Sequence, residues 1–268
     1  MPTTTSPHPV HDDPRARLRP DCRSCAALCC TLLGFVRSAD FPVDKPAGEP
    51  CTELRPDAMC RIHDQLRTRG YRGCTVFECF GAGQRVTADG HPDPAAAFAA
   101  VRRLHEARWY LAEVDDRTWD QELLDRSAAL QARAEALVDR AGSGSEDVLD
   151  AVRSLLRDLS DEVRSRYAAA DDRTPLRAAG ADLAGQDLRD RDTVAALLRN
   201  ATLIGADLRD TDLAGADLLG ADLRDARLHG ADLSAALFLT QPQVNAADGS
   251  DTTALPPWLD RPAHWVAG

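Results

Sequence analysis

Residues 201–233 read ATLIG ADLRD TDLAG ADLLG ADLRD ARLHG ADL. Leucine stands at every fifth position from Leu203 to Leu233, and the register runs back through Leu198 and Thr193 to Leu188 and Leu183. Two positions earlier in each unit the residue is usually alanine: Ala181, Ala196, Ala201, Ala206, Ala216, Ala221, Ala226 and Ala231. The residue between them is usually aspartate. A period of five is neither the 3.6 of a helix nor the 2 of a strand, so neither element buries this pattern on one side. A square coil with four sides of five residues does. Each side turns one large and one small residue inward and leaves Asp and Arg outside. Stacking such coils about 4.8 Å apart lets neighbouring turns satisfy each other's backbone.

The A-D-L-x-x pattern resembles the pentapeptide repeat family over residues 176–237. That resemblance implies a right-handed quadrilateral β-helix. Arg191-Asp-Thr-Val-Ala195 breaks the pattern, and a bulge or loosened corner is expected there. The eleven units from Ala181 to Ala235 make about 2.75 coils and a column only ~13 Å tall. Some members of the family resemble DNA in shape and charge and bind DNA gyrase, a role that asks for a long acidic rod. Residues 176–240 carry 11 acidic and 7 basic side chains, with Arg189, Arg199, Arg209 and Arg224 interleaved. DNA mimicry is therefore an alternative behind others.

All eight cysteines lie upstream, at Cys22, Cys25, Cys29, Cys30, Cys51, Cys60, Cys74 and Cys79. Spaced C-x2-C-x3-CC, C-x8-C and C-x4-C, they mark a metal site or a disulfide framework. The N-terminus has no basic start and no apolar run of signal-peptide length, and no run of about 18 apolar residues occurs to span a membrane. A cytoplasmic chain with reduced thiols is expected, where dense cysteine points to metal, with free or redox-cycling thiols as the alternative. No Gly or Pro interrupts residues 22–33, so a helix is expected there, with Cys22, Cys25 and Cys29 on one face. Cys30 would point about 100° away, toward a second metal or none. Cys60 and His63 could share a helical face, although a lone histidine is more often a surface or core residue.

The cysteine spacing, with Cys60-Arg-Ile-His63 and Gly73-Cys74-Thr-Val-Phe-Glu-Cys79, resembles the YkgJ-like cysteine-cluster family over residues 20–85. That family is described as zinc- or iron-chelating, and a related cluster occurs in the flagellin lysine methylase. The chain departs from it where Leu66-Arg-Thr-Arg-Gly70 replaces a common Arg-Pro pair. Gly81-Ala-Gly83 follows the last cysteine; lacking a third glycine, it reads as a turn passing close to the site rather than a phosphate loop.

The remaining sequence frames these two regions. A net charge of −11 over 268 residues argues against non-specific nucleic-acid binding, which needs a basic footprint. Residues 1–20 read as a disordered tail, and residues 38–50 as a Pro-punctuated loop. Phe98, Val101, Leu104 and Leu111, then Leu123, Leu124, Leu130, Leu137 and Val138, then Val148, Val152, Leu155, Leu156, Leu159 and Val163 predict three amphipathic helices. Ser145 is a candidate cap for the third, and His105, Trp109 and Tyr110 read as core. Trp258 and Trp265 are expected to pack back on the protein and cover the end of the coil.

The expected fold is a multidomain α + β chain: tail 1–20, cysteine-rich metal-binding module 21–90, helical segment 91–170, β-helix 176–240 and capping tail 241–268. The expected function is a non-enzymatic, cytoplasmic metal-binding protein that docks a protein partner through its repeats. Neither membrane nor direct nucleic-acid binding is expected. Zinc leads an iron–sulfur cluster as the cofactor on all-cysteine ligation. Cys22, Cys25, Cys29, Cys60, Cys74 and Cys79 lead the ligand set, with Cys30 and Cys51 behind them. A metal-dependent redox or transfer enzyme is a further alternative, but no acid/base pair, nucleophile triad or cofactor loop supports it, and all-thiolate sites are usually structural.

Overall fold

Apolar residues at helical spacing between positions 98 and 163 do fold into three long helices packed on one another. The computed structural model describes residues 13–141, 144–170 and 174–265. In chain order its α-helices are α1 (Leu28–Leu32), α2 (Arg72–Thr75), α3 (Ala82–Asp89), α4 (Pro94–Leu111), α5 (Val114–Arg117), α6 (Gln121–Val138), α7 (Glu146–Ala170) and α8 (Gln241–Ala246). Asp93 caps α4 by accepting the Ala96 N–H at 3.1 Å, and Pro94 supplies a preset first turn. Asp120 caps α6 through the N–H groups of Glu122 and Leu123. The shared core holds Val101, Leu104, Leu111, Ala134, Val138, Leu155 and Leu159. Each large side chain buried there contributes about 1.5–3 kcal/mol of transfer free energy.

The repeat region corrects the expected fold class. Among the described residues there is no β-strand and no sheet, so the quadrilateral β-helix expected for 176–240 does not form as β structure. Single residues bridge in parallel at a spacing of twenty instead: Arg177 to Leu197 to Asp217 to Leu237, and Asp182 to Thr202 to Asp222. The physical reason is the turn in every unit. The Gln186 N–H closes on the Leu183 carbonyl at 3.1 Å, and the Ala206 N–H on Leu203 at 3.0 Å. Only the residue ahead of each inward leucine then stays extended long enough to pair. The last residue of most units takes positive φ, as at Gly185 (66°), Gly205 (63°) and Asp210 (57°), a conformation suited to Gly, Asn and Asp. What stacks is a column of turns around a leucine–alanine core that includes Leu198, Leu203, Leu208, Leu213, Leu218 and Ala206.

The expected break at 191–195 is present. It is confined to one rung: no bridge joins positions 192 and 212, and the Thr193 hydroxyl donates to the Asp212 carbonyl at 2.7 Å, while Ala195 keeps the positive φ (55°) of the other units' last residues.

Column and helices share a joint. Leu237 and Phe238 enter the helical core. Asp217 is fully buried and accepts from Ser160 Oγ of α7 at 2.6 Å and from Arg199 at 2.7 Å. Glu113, also buried, accepts the Phe238 N–H and pairs with Arg117, each at 3.0 Å. At the far end the chain adds to the column after α8, with Asp248 bridging Arg227 and Ala254 bridging Asp232. Trp265 lies against Gly249 and donates its indole N–H to the Ala247 carbonyl at 2.9 Å, while Trp258 stacks under Arg15. Both tryptophans pack back. Of the expected disordered tail, residues 1–12 lie outside the described residues. Residues 13–20 are instead anchored by a 3-10 turn (Pro14–Leu18) that buries Arg15 and Leu18. Among the described residues no helix is long and apolar enough to cross a membrane.

Candidate metal centre

The cysteine region has little regular structure, and small packing constraints fix where its sulfurs go. The predicted helix over 22–33 does not form as one piece. Asp21 caps a 3-10 turn over Cys22–Ser24, and Ala27 takes a left-handed φ of 56° before α1 begins at Leu28. The kink is held from outside, because the Ala26 N–H donates to Thr87 Oγ1 of α3 at 2.9 Å. Cys22, Cys25 and Cys29 therefore share no single helical face.

A hairpin carries the next pair. The Cys51 N–H donates to the Cys30 carbonyl at 3.0 Å, and Cys60 bridges antiparallel to Leu54. Cys60 and His63 consequently miss the expected helical face: Cys60 is in the hairpin, and His63, exposed, begins a separate 3-10 turn. Cys74 rides on α2, behind Phe35 and Phe41, which stack at 4.1 Å, with Tyr71 edge-on to both. Gly73 has no room for a side chain, since a methyl there would lie 2.2 Å from the Phe41 ring. Cys79 ends the run just before α3, where its carbonyl accepts the Ala82 N–H and its sulfur faces the N–H groups of Gly81 and Gly83. The Gly81-Ala-Gly83 turn does pass close by: a methyl on Gly83 would lie 2.6 Å from Cys25 Sγ.

These separate devices bring all eight cysteines to the wall of one cavity of about 430 Å³, together with His63, Phe41, Phe77 and Glu78. None of the eight is in a disulfide. As placed, no three His, Cys, Asp or Glu side chains among the described residues converge closely enough to hold one ion. Cys29 Sγ and Cys30 Sγ, on adjacent residues, stand 3.9 Å apart.

The thiols are electrostatically unequal. Burial pushes Cys22 up to about 11, with Cys79 and Cys25 adding to it. Burial likewise pushes Cys74 up to about 12, helped by Cys30, Cys51 and Cys60, and raises Cys60 and Cys79. The hydrogen bond from Cys29 lowers Cys30 to about 7, with Lys45 and His63 assisting, and keeps Cys29 itself protonated. Lys45 is buried and donates to the Thr31 and Leu33 carbonyls. Its part in the site, and that of the Phe35–Phe41–Tyr71 wall, escaped sequence reasoning. The loop over 38–50 gave no periodic signal; the one hint was Gly73 next to Cys74 near two aromatic residues.

The repeat column presents charges that are paired with one another. Arg189 pairs with Asp187, Arg209 with Asp207 and Arg224 with Asp222, at 2.6–2.7 Å.

Comparison with known proteins yields two findings. The model of the pentapeptide repeats matches eight copies at residues 179–213 and 201–238. The chain is also 39% identical, over 275 aligned positions, to YybG of Bacillus subtilis (strain 168), a protein described as uncharacterized; the alignment covers 96% of this chain and 98% of YybG.

Proposed function

The chain belongs to one family with YybG and carries pentapeptide repeats, and on that premise we propose that it is a non-enzymatic metal-binding protein whose repeat column docks a protein partner. One observation carries the metal reading: eight unbridged thiols, drawn from five separate local structures, line a single cavity. Thiols are the soft donors that zinc and iron–sulfur clusters take. A cavity walled only by packing would have no need of them. The resemblance to the YkgJ-like cluster supports the same chemistry. Because no three donors converge as placed, ligation requires the cysteine side chains and their loops to close inward. The donor set, rather than a preformed polyhedron, is what supports the reading.

Pentapeptide repeats suit the platform role. The column carries paired Asp and Arg on two of its sides rather than forming an acidic rod, which favours a protein partner over gyrase binding by DNA mimicry. The test is anaerobic purification of the full chain with elemental analysis and an absorption spectrum. Bound zinc without colour, or iron and sulfide with a visible charge-transfer band, is the expected result. A metal-free protein with eight titratable thiols would overturn it.

A further inference from the structure

A second cavity, of about 450 Å³, opens where the helices meet the column, and it shares no wall residue with the thiol cavity. Ala107 of α4, Leu149, Val152 and Leu156 of α7, and Leu219 of the column supply its apolar lining. Tyr110 joins them, edge-on to Phe238 at 6.1 Å. The charged lining is one-sided: Arg103, Arg153, Arg157 and Arg199 stand against Glu106 alone, in a chain of net charge −11. Two of these arginines are already matched, Arg103 by Glu146 at 2.6 Å and Arg153 by Asp150. Arg199 is held in place from behind. Its Nε and Nη2 bind the buried Asp217 at 2.9 and 2.7 Å, and Nη2 also meets the Leu156 carbonyl at 3.0 Å. Its Nη1 makes no bond among the described residues. Arg157, exposed, makes no hydrogen bond or ion pair there either. Asn200, left-handed at φ 56°, sits against Gly220 of the next coil, where a methyl would lie 2.4 Å from its Oδ1. Its side-chain amide has no partner among the described residues. An unmatched surface arginine is ordinary by itself; three unmatched donors sharing one apolar cavity are not.

We propose that this cavity binds a small organic oxyanion, a carboxylate or phosphate ester carried on an apolar body. Arg157, Arg199 Nη1 and the Asn200 amide receive the anionic group, and the lining from α4, α7 and Leu219 receives the body. A guanidinium fixed by its own partners suits the task, since it is already ordered when the oxyanion arrives. A mostly apolar cavity with a few polar groups directed at one end is the usual form of a small-molecule site, and its volume lies in the usual range. No cysteine lines the cavity, so this site stands apart from the metal reading.

Displacement of a fluorescent aryl sulfonate, anilinonaphthalene sulfonate, from the full chain tests the site. Octanoate and octyl phosphate should displace the dye, and octylammonium, of the same length and opposite charge, should not. Arg157→Glu should weaken octanoate at least about tenfold, the size expected when a charge-assisted hydrogen bond is lost. Arg133→Glu, the same charge change at an exposed α6 position outside the cavity, should leave it unmoved. Arg157 is exposed and unbonded, so its replacement spares the fold. Asn200→Asp keeps a side chain suited to left-handed backbone and gives a second reading in the same direction. Displacement by either acid upholds the site, and the tighter of the two names its anion. Failure of the dye to bind, equal displacement by octylammonium, or an octanoate affinity that neither cavity variant lowers overturns the proposal.

Discussion

His105 shows what one buried side chain does for this fold. It lies in α4, buried, with Nδ1 bonded to the Phe80 carbonyl at 2.6 Å, and so pins the turn that carries Cys79 into α3. Burial pushes its pKa down to about 4 from an ordinary 6.5. The native state therefore keeps the ring neutral while the unfolded chain takes up a proton. This stabilisation is complete above pH 6.5 and is lost as pH falls toward 4. A shift of that size corresponds to roughly 3–4 kcal/mol. Urea midpoints of wild type should fall across that window, and His105→Gln should flatten the slope there. Equal slopes in both proteins would remove His105 from the account. The sequence marks His105 as a core residue by its helical register, but its partner lies 25 positions away in an irregular turn, so no local signal could name it.

The element that most tests the architecture is the seam between α7 and the column. Asp217 occupies the repeat position that turns outward in most units, yet here α7 covers it, and Ser160 and Arg199 satisfy it. Removing one member of a buried ionic cluster leaves the other uncompensated and costs about 3–5 kcal/mol. Asp217→Ala should therefore lose that much in chemical denaturation, whereas Asp212→Ala, at an equivalent but exposed position, should change stability by less than about 0.5 kcal/mol. Replacing Arg199 as well should restore part of the loss, and a purely additive double mutant would show that the pair is not coupled. The five-residue period announces the stacked column, with Leu and Ala inward, directly in the sequence. It could not announce that one outward aspartate would be covered, because that depends on how α7 lies across the coils. The cysteines behave in the opposite way. Their types and spacing single out one region, but the expected helix over 22–33 fails at Ala27, since its neighbour Ala26 is held by Thr87 from α3, 61 residues on.

At the scale of the whole molecule, the C-terminal tail ties the column to the cysteine region. After Leu237 the chain no longer repeats, but it keeps bonding to the layer beneath it. The Asp225 N–H reaches the Ala246 carbonyl, Leu228 reaches Asp248 and Leu233 reaches Ala254. Gln243 covers the Leu218 and Ala221 carbonyls, and Val244, Ala247, Leu259 and Trp265 close the leucine–alanine core. From the same α8, the Asn245 side chain donates to the Thr75 carbonyl at 2.9 Å, and its own carbonyl accepts Arg67. Deleting residues 241–268 would thus expose apolar core and unpaired backbone at one end and release α2, which carries Cys74, at the other. Both losses act in the same direction. With about 2–4 °C of melting temperature per kcal/mol for a chain approaching this size, and several kcal/mol of burial removed, the truncated protein should melt roughly 10 °C lower or precipitate. Its Cys74 should also react with thiol reagents faster than in the full chain, while Cys25, held by α3, should change little. An unchanged melting temperature would show that the column closes itself without the tail. Equal acceleration at Cys25 and Cys74 would mean that truncation loosens the whole cysteine region, not the side that α8 holds.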